Sequence, residues 1–290
     1  MTSPAPLPTG SAGPAAAGIE IRRGRIRVRR FTPASVSMGV VFALLAGVTV
    51  FGVFLLSQEK VKVGQGILVT LKNFRTMFLF PGATHFTVAQ ALYDLAVTVG
   101  LAVLTTFVGA AVALVLGLFA AQNLGHRRVA SVIKSVVAVF RAVPTVLWVL
   151  IFAIGAGLGS AAAVIGMSFH SISYLMKGYS ESFEEIDQGV IEALRASGAR
   201  WIQIVLQAVL PSSVNPILSW TFIRFEINFV NAVAMGAAAG AGGIGYSLFW
   251  ASGYYFNVHE VGFITYLILA VAIVLEYSAT RLRSRLRVGR

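Results

Sequence analysis

Long apolar runs alternate with short polar or basic intervals along this chain, and most runs are long enough to cross a bilayer as a helix. The first covers residues 34–56 and follows Arg22, Arg23, Arg25, Arg27, Arg29 and Arg30. It ends Leu55-Leu56-Ser57-Gln58, so it is longer than the apolar part of a secretory leader and lacks its small-residue end. An uncleaved anchor is expected. The second run covers 95–121. The third opens at Pro144 and meets Gly155, Gly157 and Gly159. Each glycine costs about 1 kcal/mol inside a helix, which predicts a turn there. The reading is a span over 144–156 that takes in part of the preceding helix, then another over 160–180. The fifth and sixth cover 212–237 and 261–280, giving an all-α membrane protein of about six transmembrane helices.

Residues 57–93 mix Lys60, Lys62, Lys72 and Arg75 with apolar positions, as a loop with an interfacial helix carrying Phe74, Met77 and Phe78 on one side. The domain plan is then a disordered basic tail over 1–33, the first span and an external loop over 34–93, a core over 94–280, and a basic tail over 281–290.

The interval 181–211, ESFEEIDQGVIEALRASGARWIQIVLQAVLP, breaks the apolar pattern. Glu181, Glu184, Glu185, Asp187 and Glu192 lie within twelve positions. Locally it reads as two short helices and a hinge. Asp187 caps the first helix, Ile186 and Ile191 staple the cap, and Glu192 and Arg195 are surface neighbours at i, i+3. Gly198 stands where a helix ends in a left-handed residue. The second helix repeats apolar residues at Trp201, Ile204, Val205, Ala208 and Val209 until Pro211 breaks it.

Composition agrees with the pattern. The 290 residues are 57% hydrophobic and 12% charged, with mean hydropathy +0.81, more apolar side chain than a soluble core of this size consumes. The net charge of +12 sits in the arginine run, a turn with His126, Arg127, Arg128 and Lys134, the stretch with Lys177, Arg195 and Arg200, and the carboxyl-terminal arginines. With both termini inside the cell, these segments all face the cytoplasm, as the positive-inside rule requires. The charges therefore read as topology determinants and anionic-lipid contacts rather than a nucleic-acid surface. No cysteine is present, so thiolate chemistry is excluded.

The fifth run contains TFIRFEINFVNAVAMG. Arg224, Asn228 and Asn231 share a helix face at i, i+4, i+7, and Glu226 points away. A charge at bilayer centre costs roughly 2.5–3.5 kcal/mol on insertion scales, so these side chains avoid lipid. They either line a translocation path or form a structural network between helices. Gly240, Gly242, Gly243 and Gly245 follow; GAGGIG has no Lys-Ser or Lys-Thr after it, which argues against a phosphate loop and for a tight bend or outer gate. His170 has no partner at metal-ligand spacing and reads as a satisfied core histidine. Arg141, Pro144 and Trp148 read as a helix entry with an interfacial aromatic.

Glu192-Ala193-Leu194, then Gly198, then Leu210-Pro211 resembles the EAA loop of ABC importer permeases, with Leu194 and Ala208 as apolar departures. RAVPTVLWVLIF, the interval above, RFEIN and GAGGIG together are similar to the phosphonate-type permeases of that class, across about 141–246. One departure is Val230, where that family's pattern has an arginine; it bears on ligand choice. The resemblance implies a type I ABC importer permease fold, with Asp187, Glu192, Ala193, Leu194, Arg195, Gly198 and Pro211 in a coupling helix that docks on a separate ATPase. It implies a path for a small anion such as phosphonate, phosphite or phosphate past Arg224, Glu226, Asn228 and Asn231. It also implies an extracytoplasmic solute-binding protein, a second permease subunit with a homodimer favoured, and a bacterial cell membrane. ATP and Mg would be bound by the ATPase and no cofactor by this chain, which would not be an enzyme. The alternative is a secondary transporter or channel with Arg224 and Glu226 as its ion site.

Overall fold

A computed structural model describes residues 19–22, 25–28, 33–57 and 63–288, and of these gives the backbone alone for 19–22, 25–28, 33–34, 56–57, 63, 282–283 and 285–288. The features expected at 1–18, Arg23, Arg29, Arg30, Lys60, Lys62 and Arg290 lie outside the described residues. The chain forms two units, residues 1–70 and 71–290.

In the first unit, β1 (Ile19–Arg22) and β2 (Arg25–Val28) pair antiparallel with Ile19 opposite Val28 and Ile21 opposite Ile26. A disordered tail was expected there, but the alternation of IEIR and RIRV has the period of a strand. Helix α1 (Pro33–Ser57) exposes apolar side chains all round, the surface of a helix solvated by lipid.

The second unit begins within α2 (Val63–Leu79), the helix expected in the first loop. Its aromatic side packs on the carboxyl-terminal helix α11 (Val258–Val288): Phe78 meets Tyr266 edge to face, and the Tyr266 hydroxyl donates to the Phe78 carbonyl at 2.7 Å. Helix α3 (Val88–Ala120) starts at a Thr87 cap that accepts from Gln90 N–H, and at 33 residues it is about 50 Å long. It is followed by α4 (Arg127–Ala142) and α5 (Thr145–Ala156), which meet at an 83° bend. That bend is braced by the Trp148 indole N–H on the Phe140 carbonyl, with Phe140, Trp148 and Phe169 stacked. Trp148 is thus an internal brace.

The chain turns at Gly157–Gly159 as their spacing predicts and enters α6 (Ser160–Glu184). Among the described residues four helices, 35–55, 88–120, 201–239 and 258–281, are long and apolar enough to span a membrane, and the bent pair α4–α5, counted as one span, makes a fifth. Helix α6 is less apolar because it lies inside the bundle, against α3, α5 and the helix over 210–239. Its buried Ser168 and Ser173 donate to carbonyls one turn back. With α6 the six expected segments are all helical.

Helices α3 and α6 cross with almost nothing between them. A Cβ added at Gly109 would lie 2.7 Å from that of Ser171, and one at Gly117 3.2 Å from that of Tyr179. Gly109, Ala113 and Gly117, one turn apart, form the small-residue stripe that permits this approach.

After α7 (Gln188–Ala196) the structure departs from the reading of two short helices. Helix α8 (Trp201–Ile204) passes through a π-helical turn, Val205–Val209, straight into α9 (Leu210–Ala239). Pro211 does not break the run. It follows the wide turn, which relieves the clash a proline ring makes with the carbonyl four residues back, and it sits in the first turn of α9. Beyond α9, α10 (Gly243–Phe249) folds back against it and a π-helical turn, Trp250–Tyr254, leads on to α11.

Candidate functional site

Helix α7 is closed at both ends by its own residues. Asp187 caps it by accepting from Gly189 N–H at 2.8 Å, and Ile186 and Ile191 enter one apolar cluster with Phe183 and Ile204, the predicted staple. At the other end Ala199 N–H reaches the Leu194 carbonyl and Gly198 N–H the Arg195 carbonyl, both at 3.0 Å. This is a Schellman closure, and Gly198 takes φ +81°, where a side chain is strained.

The segment is then tied to the turn after α3. Arg195 donates to the Asn123 carbonyl at 3.1 Å, the Trp201 indole to the Leu124 carbonyl at 3.1 Å, and Trp201 stacks on Phe119. Asn123 Nδ2 donates to the Phe183 carbonyl, and Glu184 accepts from Gln122 N–H and Lys134 Nζ, each at 2.8 Å. Arg195 is therefore occupied by the α3–α4 turn, and among the described residues no ion pair joins it to Glu192. Glu192, Ala193, Arg195 and Gly198 are exposed, Leu194 is half-buried beneath them, and Pro211 lies a helical stretch away on α9. The result is a short helix held at fixed height on one end of the bundle.

At mid-depth, opposite the middle of α3, lies a buried polar cluster. Arg224 is 1% exposed and Asn228 wholly buried. Ser171 Oγ donates to Asn228 Oδ1 at 3.0 Å, Asn228 Nδ2 donates to Thr106 Oγ1 at 2.8 Å, and Arg224 Nε donates to Ser171 Oγ at 3.1 Å. The Arg224 guanidinium stands over the Tyr174 ring, 5.3 Å from its centroid. Its Nη2 is buried without a hydrogen-bond partner among the described residues, and so is His170 Nδ1. His170 lies close enough to Arg224 and Arg141 to feel both charges. The satisfied core histidine that its isolation suggested is not what the fold builds. Asn231 and Glu226 are half-buried on the same helix.

The sequence reading missed Ser171, Thr106 and Tyr174. A hydroxyl in an apolar helix looks alike whether it bonds back to its own carbonyl or across to a neighbour; the spacing of His170, Ser171 and Tyr174 around one side of α6 was the available signal.

At the opposite end of α3 the glycines make a bend. Gly240, Gly242 and Gly243 have φ +62°, +82° and +68°. Gly236 and Gly245 are in the close approach of α9 and α10, where a Cβ on Gly236 would come within 2.6 Å of the Gly242 carbonyl oxygen. Thr98 Oγ1 accepts from Ile244 N–H at 2.9 Å and Ser247 donates to Asp94 at 2.6 Å, clamping α10 to α3.

Helical spans around a buried polar cluster, with a rigid surface helix slung between two of them, define a membrane permease. Residues 113–288 match the family described as binding-protein-dependent transport system inner membrane component, and the chain belongs to that family. It is 30% identical over 263 residues to the phosphate-import permease protein PhnE of Mycolicibacterium smegmatis, covering 90% of this chain and 47% of that relative. The chain thus spans about half that relative's length. It is also 30% identical over 191 residues to the phosphite transport system permease protein PtxC of Stutzerimonas stutzeri, covering 66% of this chain and 69% of the relative. Among solved structures it resembles the inward-facing MetNI methionine ABC transporter, with TM-score 0.59, 20% identity, and coverage of 69% of this chain and 99% of that one. The fold is that of the type I ABC importer permeases, and the resemblance to phosphonate-type permeases holds.

Proposed function

We propose that this chain is the membrane-spanning subunit of an ATP-driven importer of a small oxyanion of the phosphonate, phosphite or phosphate class. The observation that carries this is α7: capped at both ends, fastened to the α3–α4 turn, and exposing Glu192, Ala193, Arg195 and Gly198. A rigid amphipathic helix seated in a partner's groove transmits motion as a lever rather than yielding to it. The partner is a separate ATPase; ATP and Mg belong to that subunit. Both termini and α7 face the cytoplasm, and the Gly240–Gly245 bend faces outward beside the external binding protein. Arg224, Asn228, Asn231 and Glu226 are the polar groups along the path, which a second permease copy completes; Arg224 and Asn228 are buried within this chain and meet the ion when the helices part. ATP and the binding protein favour different access states.

Reconstitution tests this. In proteoliposomes holding the chain, its ATPase and its binding protein, uptake of labelled phosphate, phosphite or methylphosphonate should need ATP and all three proteins. Uptake that continues without any ATPase would instead identify a secondary transporter or channel working through Arg224 and Glu226.

A further inference from the structure

Between α4 and α6, on the α7 side of Arg224, is a cavity of about 190 Å³ lined by Lys134, Arg141, Ser173, Lys177, Ser180 and Glu181. Three cations face one carboxylate. Lys134 is already committed to Glu184 at 2.8 Å, and Lys177 approaches Glu181 only to 3.7 Å, both half-exposed. Arg141 is exposed at the cavity's edge, and among the described residues no hydrogen bond or ion pair holds it. The Ser173 and Ser180 hydroxyls donate to carbonyls of their own helix, so the unspent donors are those of the cations. Arg141 also links the cavity to the deeper cluster, since His170 lies within reach of both its charge and that of Arg224. Basic groups thus run from mid-depth toward the α7 end with positive charge in excess.

We propose that this cavity holds the anionic phosphate group of a ligand, with Arg141 and Lys177 as its principal contacts. The proposal rests on reading the path as one for an oxyanion and gives that ion a second position between Arg224 and the cytoplasm. Arg141 presents a planar fork suited to two oxygens, and Lys177 a point charge beside it. The same chemistry has a second possible source. An apolar cavity of about 310 Å³ adjoins this one through Val137 and Ser173, so an anionic phospholipid could place its headgroup among the cations and an acyl chain beyond.

The test uses the full chain in nanodiscs. In discs of phosphatidylcholine alone, ³³P-labelled inorganic phosphate should bind saturably; Arg141→Gln should weaken binding about tenfold, which corresponds to about 1.4 kcal/mol, and Arg141→Lys should restore part of it. Lys177→Gln serves if Arg141→Gln does not fold, and Arg75→Gln on the exposed face of α2 should leave binding unchanged. In discs containing phosphatidylglycerol, equal phosphate binding identifies the free ion as occupant. Reduced binding, with phosphatidylglycerol retained by the wild type through lipid exchange but lost from Arg141→Gln, identifies the headgroup. Absence of both phosphate binding and lipid retention, or Arg141→Gln and Lys177→Gln behaving as wild type in both discs, overturns the proposal. ATP-driven uptake by the wild-type complex, measured alongside, keeps the two readings apart: its absence refutes the importer, whereas wild-type-like Arg141→Gln with uptake intact refutes only this cavity.

Discussion

Helix α7 and the cluster around Arg224 are both polar features in an apolar chain, yet they are built in opposite ways. Both ends of α7 are tied down, by the Asp187 cap, the Schellman closure at Gly198, Arg195 on Asn123 and Trp201 on Leu124. Around Arg224 the protein stops short, leaving Nη2 and His170 Nδ1 buried and unanswered among the described residues. An unpaired buried donor is expensive, and a charged one more so. On the reading proposed above, the surface that pushes is finished before its partner arrives, and the site that receives the ion is left unfinished.

This contrast can be broken by substitution. Arg224→Met should have the largest effect: losing one partner of a buried charge contact costs about 2–5 kcal/mol, or thirtyfold and more in anion handling. ATPase co-purification should persist, and the melting temperature should hold or rise because a buried charge has gone. A lower melting temperature with wild-type uptake would reassign Arg224 to structure. Gly198→Pro should come next. It replaces a φ of +81° with one near −65° and deletes the N–H on Arg195, so co-purifying ATPase should fall by roughly tenfold or more. Gly198→Ala, about 1–2 kcal/mol of strain, should fall between.

Thr98→Val removes the acceptor of the buried Ile244 N–H at the glycine bend. It should cost about 1–3 kcal/mol, read as a lower melting temperature in detergent. Glu192→Lys should be mildest: an exposed reversal that leaves the fold intact and weakens ATPase docking severalfold at low ionic strength. Because exposed charges are screened, salt should erase most of the difference. A defect that survives high salt would mean that Glu192 acts through packing.

The elements of this fold were legible wherever local chemistry was complete. The Asp187 cap, the Ile186–Ile191 staple, the Gly198 terminus and the Gly157–Gly159 turn are short-range devices, and the structure has each of them. What could not be read depended on partners far along the chain. Pro211 reads as a breaker, but the π-helical turn ahead of it carries the helix through. Trp148 reads as an interfacial anchor until Phe140 and Phe169 close around it. The one-sided row Arg224, Asn228, Asn231 was visible, while Ser171 and Thr106, which bind it to α6 and α3, were not. Glu192 and Arg195 were adjacent as expected, but the α3–α4 turn holds the arginine.

The glycine-to-serine and glycine-to-tyrosine crossing of α3 and α6 has a mechanical consequence. Two rods touching at the backbone have no compressible layer of side chains to absorb sliding or tilting, so they behave as a single beam. The backbone of α5 at Val149 comes as close to Gly166 of α6 as α3 does at Gly109, so α5 belongs to the same beam and the three helices move as one body.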